Sequence, residues 1–145
     1  MSGMLQNSNP IPQGKYLPAT RHGDIVYTSG MTPRKEGVLI LTGKVTSLEP
    51  LATYREAVRL ATANALTAAW NTLIGQERLA QVLSLTVFIA ADETFRDHSK
   101  IADFASEYLS EELGAAGIGS RAAIGVASLP GNAPVEIQLI AAIAV

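Results

Sequence analysis

Apolar and polar positions change period several times along the chain, and each change marks an element. Residues 25–29, Ile-Val-Tyr-Thr-Ser, are β-rich and stop at Gly30, which predicts a strand. Residues 37–46 predict a second short strand, with Gly43 at a bulge or turn. From residue 54 the period becomes helical: Tyr54, Val58, Ala61, Ala65, Ala69 and Leu73 form one stripe, widened by Leu66 and Trp70. Thr53 and Glu56 have the spacing of a capping box, and Gly75 ends the pattern, so the helix is expected over about 54–74. Its many alanines predict close packing on a sheet. Residues 82–90 are apolar at nearly every position, as an interior strand requires. Thr94 and Asp97 open a second helix, carried by Ile101, Ala105 and Tyr108 with Phe104 beside them, and Gly114 closes it. A glycine-rich loop at 114–120 leads to a strand at 121–129, a turn at 130–134 and a last strand at 135–145.

The order β-β-α-β-α-β-β predicts an α+β fold, two helices covering one face of a small mixed sheet. The last strand sharpens this picture. Ile137, Leu139, Ala141 and Ile143 lie on one face, while Ile140, Ala142 and Ala144 make the other apolar as well. A monomer hides one such face, so the pattern argues for a homo-oligomer. A mean hydropathy of +0.21 points the same way. The 145 residues are enough for one domain. Residues 1–13, rich in Ser, Asn, Gln, Gly and Pro, read as an irregular arm with no secretory pattern, and the longest apolar run, 139–145, is too short to span a bilayer. The net charge is −2, and the densest basic pair is Arg34-Lys35, which disfavours general affinity for nucleic acid. The chain has no cysteine, which excludes a thiol nucleophile and a disulfide scaffold and is compatible with the cytoplasm.

The candidate chemistry narrows quickly. The only two histidines, His22 and His98, lack ligand-spaced partners, so no metal site is expected, and His98 is expected to be solvated on the second helix. The glycine-rich loop precedes a strand, the wrong context for a phosphate loop, and no nucleophile elbow is present. What remains are two charges in otherwise apolar strands. Arg121 opens one and Glu136 the other. They read either as a strand-end salt bridge or solvated pair, or as a site in which Arg grips a carboxylate and Glu moves protons. A simple hairpin at 130–134 would set Glu136 opposite Ser128, about 23 Å along the strand from Arg121. Either the hairpin is not simple, or a partner subunit brings the two together.

Those residues carry a family likeness. Arg121-Ala-Ala-Ile-Gly-Val-Ala-Ser-Leu-Pro followed by Pro134-Val-Glu136-Ile resembles the C-terminal signature of the Rid family, the YjgF-like group also labelled endoribonuclease L-PSP. Gly14-Lys-Tyr16 resembles that family's Gly-Pro-Tyr, and Tyr27-Thr-Ser29-Gly30-Met-Thr-Pro33 its Tyr-Thr-Ser-Gly-Gln-Ile-Pro. The likeness runs over about residues 10–145.

The resemblance implies a chorismate-mutase-like α+β sandwich, a homotrimer, and clefts between subunits. It implies that Arg121 holds a substrate carboxylate, that Glu136 orients a water, and that Tyr16, Ser29 and Gly30 line the cleft. Ala123 stands where deaminases of the family often carry Cys, and its backbone still reaches a ligand. The implied reaction is hydrolysis of 2-imino or enamino acids to 2-keto acids and ammonia, without a cofactor. Ala123 and Lys15 depart from the family pattern and bear on the substrate. A non-catalytic binder of keto or amino acids is the alternative, and a ribonuclease, disfavoured by the acidic charge, a third.

Overall fold

A computed structural model describes residues 8–145. Ser8 to Gln13 form no regular element, and the rest of the expected arm lies outside the described residues. Nine elements follow: β1 (Ala19–His22), β2 (Ile25–Thr28), β3 (Arg34–Lys35), β4 (Val38–Leu39), α1 (Arg55–Trp70), β5 (Arg78–Ala90), α2 (His98–Leu113), β6 (Ser120–Val126) and β7 (Val135–Ala144). Five strands form one mixed sheet in the order β1-β2-β7-β5-β6, and β3-β4 make a separate two-stranded ribbon. Among the strands of the described residues only β5 and β6 run parallel, with α2 as the crossover between them, and the other strand pairs are antiparallel; an isolated parallel bridge joins Val45 to Ala91. The α+β sandwich expected from the pattern is therefore present.

The helices cover one sheet face. Ala57, Ala61, Ala65, Ala68 and Ala69 are buried in α1, which packs on β7 and α2. Their small side chains let the helix backbone approach the sheet. The facing positions on β7 are Ile137, Leu139, Ala141 and Ile143, all buried. The opposite face is bare: Tyr27 is 45% exposed, Ile124 41%, and Ile140 is half-buried.

Three expectations need correction, on residues 37–46, α1 and His98, and the question left open at 130–134 is answered. Residues 37–46 yield only the two-residue strand β4, because β4 pairs with β3 and never joins the main sheet. The first hairpin of the sheet is instead β1-β2. α1 begins at Arg55 after a 3₁₀ turn, Leu51–Tyr54, and ends at Trp70. No side chain caps its N-terminus, and the Thr53 hydroxyl turns back to Glu49. Residues 130–134 do not close a hairpin. β6 and β7 lie on opposite sides of β5, and the Pro134 carbonyl accepts the Ala90 N–H at the end of β5. His98 is half-buried, its ring edge-on to Phe95 at 5.4 Å and its Nε2 against Gly125.

Candidate functional site

The site is built around a break in the β2-β7 ladder. Tyr27 pairs with Ile140, and the next bridge joins Met31 to Ile137. Three residues on one strand, 28–30, thus oppose two on the other, 138–139, a one-residue bulge of the kind that re-aims side chains. Two of the freed backbone donors find partners. The buried Thr28 hydroxyl accepts the Leu139 N–H at 3.1 Å. Ser29 turns away toward the preceding segment, its N–H on the Pro18 carbonyl and its hydroxyl donating to the Leu17 carbonyl at 2.6 Å. The two Met31–Ile137 hydrogen bonds, 2.7 and 2.8 Å, then lock the strands together again.

That lock sets Glu136 over Gly30. A Cβ at residue 30 would lie 2.8 Å from Glu136 Cδ and inside contact of Oε2, so only glycine leaves room for the carboxylate in this position. Glu136 is half-buried and makes no hydrogen bond or ion pair among the described residues. Burial pushes its carboxyl above the ordinary carboxylate value. It opens onto a pocket of about 430 Å³ lined also by Tyr16, Ser29, Gly30, Arg34 and Gln138. The Tyr16 hydroxyl accepts the Gln13 N–H at 2.9 Å, which fixes the ring at the mouth. An uncommitted, half-buried carboxylate at the wall of an open pocket is suited to holding a water and exchanging protons with it.

Four of the six expected site residues therefore share one pocket: Tyr16, Ser29, Gly30 and Glu136. Arg121 and Ala123 do not join them within one chain. Arg121 pairs with Leu85 and Glu136 with Phe88 on the intervening strand β5, an odd separation that sends their side chains to opposite faces. Arg121 points to α2, where Nη1 meets Asp103 at 2.8 Å and the Ser106 hydroxyl at 3.1 Å, and Nη2 meets the Ser99 hydroxyl at 2.8 Å. The strand-end salt bridge with Glu136 is absent; the partner is Asp103. Asp103 is 56% exposed, so the pair is a weak one. Ala123 lies on the same helix-facing side of β6, an edge strand.

Arg34 is the residue that sequence reading missed, since it stood out only as half of a basic pair. Asn64, buried in α1, places it: its Nδ2 donates to the carbonyls of Thr32 and Arg34 at 3.2 and 2.9 Å. Among the described residues no cluster of His, Asp and Glu is arranged to hold a metal ion, and no helix is long and apolar enough to cross a membrane.

A family model described as endoribonuclease L-PSP matches residues 6–143. Among solved structures, a protein of unknown function from Agrobacterium tumefaciens is 34% identical, with a TM-score of 0.81 over 93% of this chain and 87% of its own. A candidate endoribonuclease from Shewanella oneidensis MR-1 is 27% identical, with a TM-score of 0.85 over 93% of this chain and 89% of its own. E. coli TdcF with bound serine shares the fold at 21% identity and a TM-score of 0.71, covering 94% of each chain.

Proposed function

This chain belongs to the endoribonuclease L-PSP family, and from that membership and the Glu136 pocket we propose that it hydrolyses 2-imino and enamino acids to 2-keto acids and ammonia. The observation that carries the reading is the uncommitted, half-buried Glu136 carboxylate held over Gly30 at the pocket wall. In the proposed cytoplasmic homotrimer, the bare apolar sheet face is covered by neighbours. The edge strand β6 of one subunit then brings Arg121 and Ala123 to the Tyr16–Ser29–Gly30–Glu136 pocket of the next. The fold accommodates an amino acid in E. coli TdcF, a ligand of the size this reading requires.

In this mechanism Arg121 exchanges its exposed Asp103 partner for the substrate carboxylate, gripping both oxygens with its fork. Glu136 accepts a proton from water as the water oxygen bonds to the imine carbon. The C=N pair moves to nitrogen, Glu136 passes it that proton, and a carbinolamine forms. Glu136 then takes the hydroxyl proton as C=O closes and the C–N bond breaks. Glu136 returns its proton to the departing nitrogen, which leaves as ammonia. Tyr16 covers the mouth and limits bulk water.

The experiment is ammonia release from imines generated in situ, run beside light scattering. The wild type is expected to accelerate release and to scatter as three chains of 15.3 kDa. Arg121→Lys keeps the charge but loses the fork, so 2-keto acid affinity is expected to fall about tenfold or more. Equal affinity for both proteins removes Arg121 as the anchor, and a monomer removes the shared cleft.

A further inference from the structure

The pocket has a second charged wall that imine hydrolysis of a simple amino-acid skeleton does not use. Arg34 lines it on the side of the β3-β4 ribbon. Its guanidinium is held, yet incompletely satisfied. Nη1 donates to the Gly37 carbonyl at 2.8 Å. Nε is enclosed with no acceptor. Nη2 has no hydrogen-bond partner and lies against Gly131, where a Cβ would approach it to 2.7 Å. Gly131 has φ of 68°, and the turn it makes beside Pro130, itself a lining residue, leaves room for the guanidinium. Among the described residues Arg34 makes no ion pair, unlike Arg21, Arg59 and Arg121. The Asn64 hydrogen bonds hold the backbone that carries it, so the side chain starts from a fixed base.

A half-buried cation without a counter-charge is costly, and an anion entering the pocket offsets that cost. Glu136 does not serve, since no ion pair joins it to Arg34 among the described residues. The pocket therefore presents an acid at one wall and an unpaired guanidinium at another. We infer that Arg34 binds a second anionic group on the ligand, so that the pocket selects 2-keto and 2-imino acids bearing a distal carboxylate. This rests on the reading above, in which Arg121 of the partner subunit takes the carboxylate next to the reacting carbon. Two carboxylates then meet two arginines, and the reacting carbon lies between them, within reach of Glu136.

Calorimetry with 2-oxoglutarate and 2-oxopentanoate tests this, since the pair differs only by a terminal carboxylate in place of a methyl group. Wild-type protein is expected to bind 2-oxoglutarate about tenfold to hundredfold more tightly, the range of a charge-assisted hydrogen bond. Arg34→Gln is expected to erase that preference and leave 2-oxopentanoate affinity unchanged, while Arg34→Lys keeps an intermediate preference. Equal affinity on the wild type overturns the inference without needing a variant, and leaves imine hydrolysis standing if 2-oxopentanoate binds. A preference that survives in Arg34→Gln also overturns it. Failure of both acids to bind, together with no imine turnover, removes the proposed function and the inference with it.

Discussion

Replacing Glu136 with Gln separates catalysis from folding at this site. The side chain keeps its size over Gly30, and the amide still hydrogen-bonds a water, but it accepts no proton. General acid–base help of this kind is worth roughly 10²–10⁴-fold, or about 2.7–5.5 kcal/mol at 1.36 kcal/mol per tenfold. Imine turnover is expected to fall by that factor, while affinity for an unreactive 2-keto acid, gripped by Arg121, stays near wild type. Stability is expected to move the other way. The Glu136 carboxyl is raised by burial above its unfolded value, about 4.3. Below the unfolded value it is protonated in both states and costs nothing. As pH rises through the higher folded value, ionisation is harder in the folded chain, so stability is lost. At pH 7 the Gln variant, which has no charge to bury, should melt at or above the wild type, and the difference should close below about pH 4. The same shift moves the acid limb of wild-type kcat/KM to a midpoint above 4.3. The assays are imine turnover, keto-acid calorimetry and thermal melting on one preparation across pH. Near-wild-type turnover by a folded Gln variant refutes the proton-transfer role. A lower melting temperature at pH 7 refutes the account of an uncommitted buried charge.

Gly30→Ala puts a methyl group inside contact of Glu136 Oε2, and since the carboxylate is the flexible partner, it should swing away rather than unfold the chain. Turnover is expected to drop about 10²-fold with the melting temperature nearly unchanged; a large loss of stability would place the constraint in the backbone instead. At the far end of the sheet, Arg21 holds Glu77 through two 2.6 Å bonds and pulls its carboxyl down to about 2. Its stabilisation is present above the unfolded value near 4.3 and is lost as pH falls toward 2, so the gap in melting temperature between wild type and Glu77→Gln should be open at pH 7 and closed near pH 2.

Periodicity and punctuation determined much of this protein. The alanine stripe of α1, the apolar run of β5 and the glycine at 114 are local signals, and the helices and strands formed where those signals lie. The α+β class followed from their order. Arg121 and Glu136 marked themselves as charges in apolar strands, whereas Tyr16, Ser29 and Gly30 were marked by their resemblance to the family's motifs. Boundaries set by partners were not legible. β1 has one apolar residue, Ala19, and is a strand because β2 pairs with it. Residues 37–46 look β-rich but reach the main sheet only through a single bridge, Val45 to Ala91 at the end of β5. The capping box at Thr53 lost to a 3₁₀ turn that enters the helix from Pro50. The site was decided at the same level. A bulge displaces register by one residue, and that displacement sets Glu136 over Gly30, far away in sequence. The intervening β5 sends Arg121 to the opposite face. Arg34 joins the pocket because Asn64 of α1 and the 130–132 turn converge on it. A local pattern records which residues prefer a strand or a helix; which of them meet depends on pairing partners distant along the chain, and only the folded sheet supplies those.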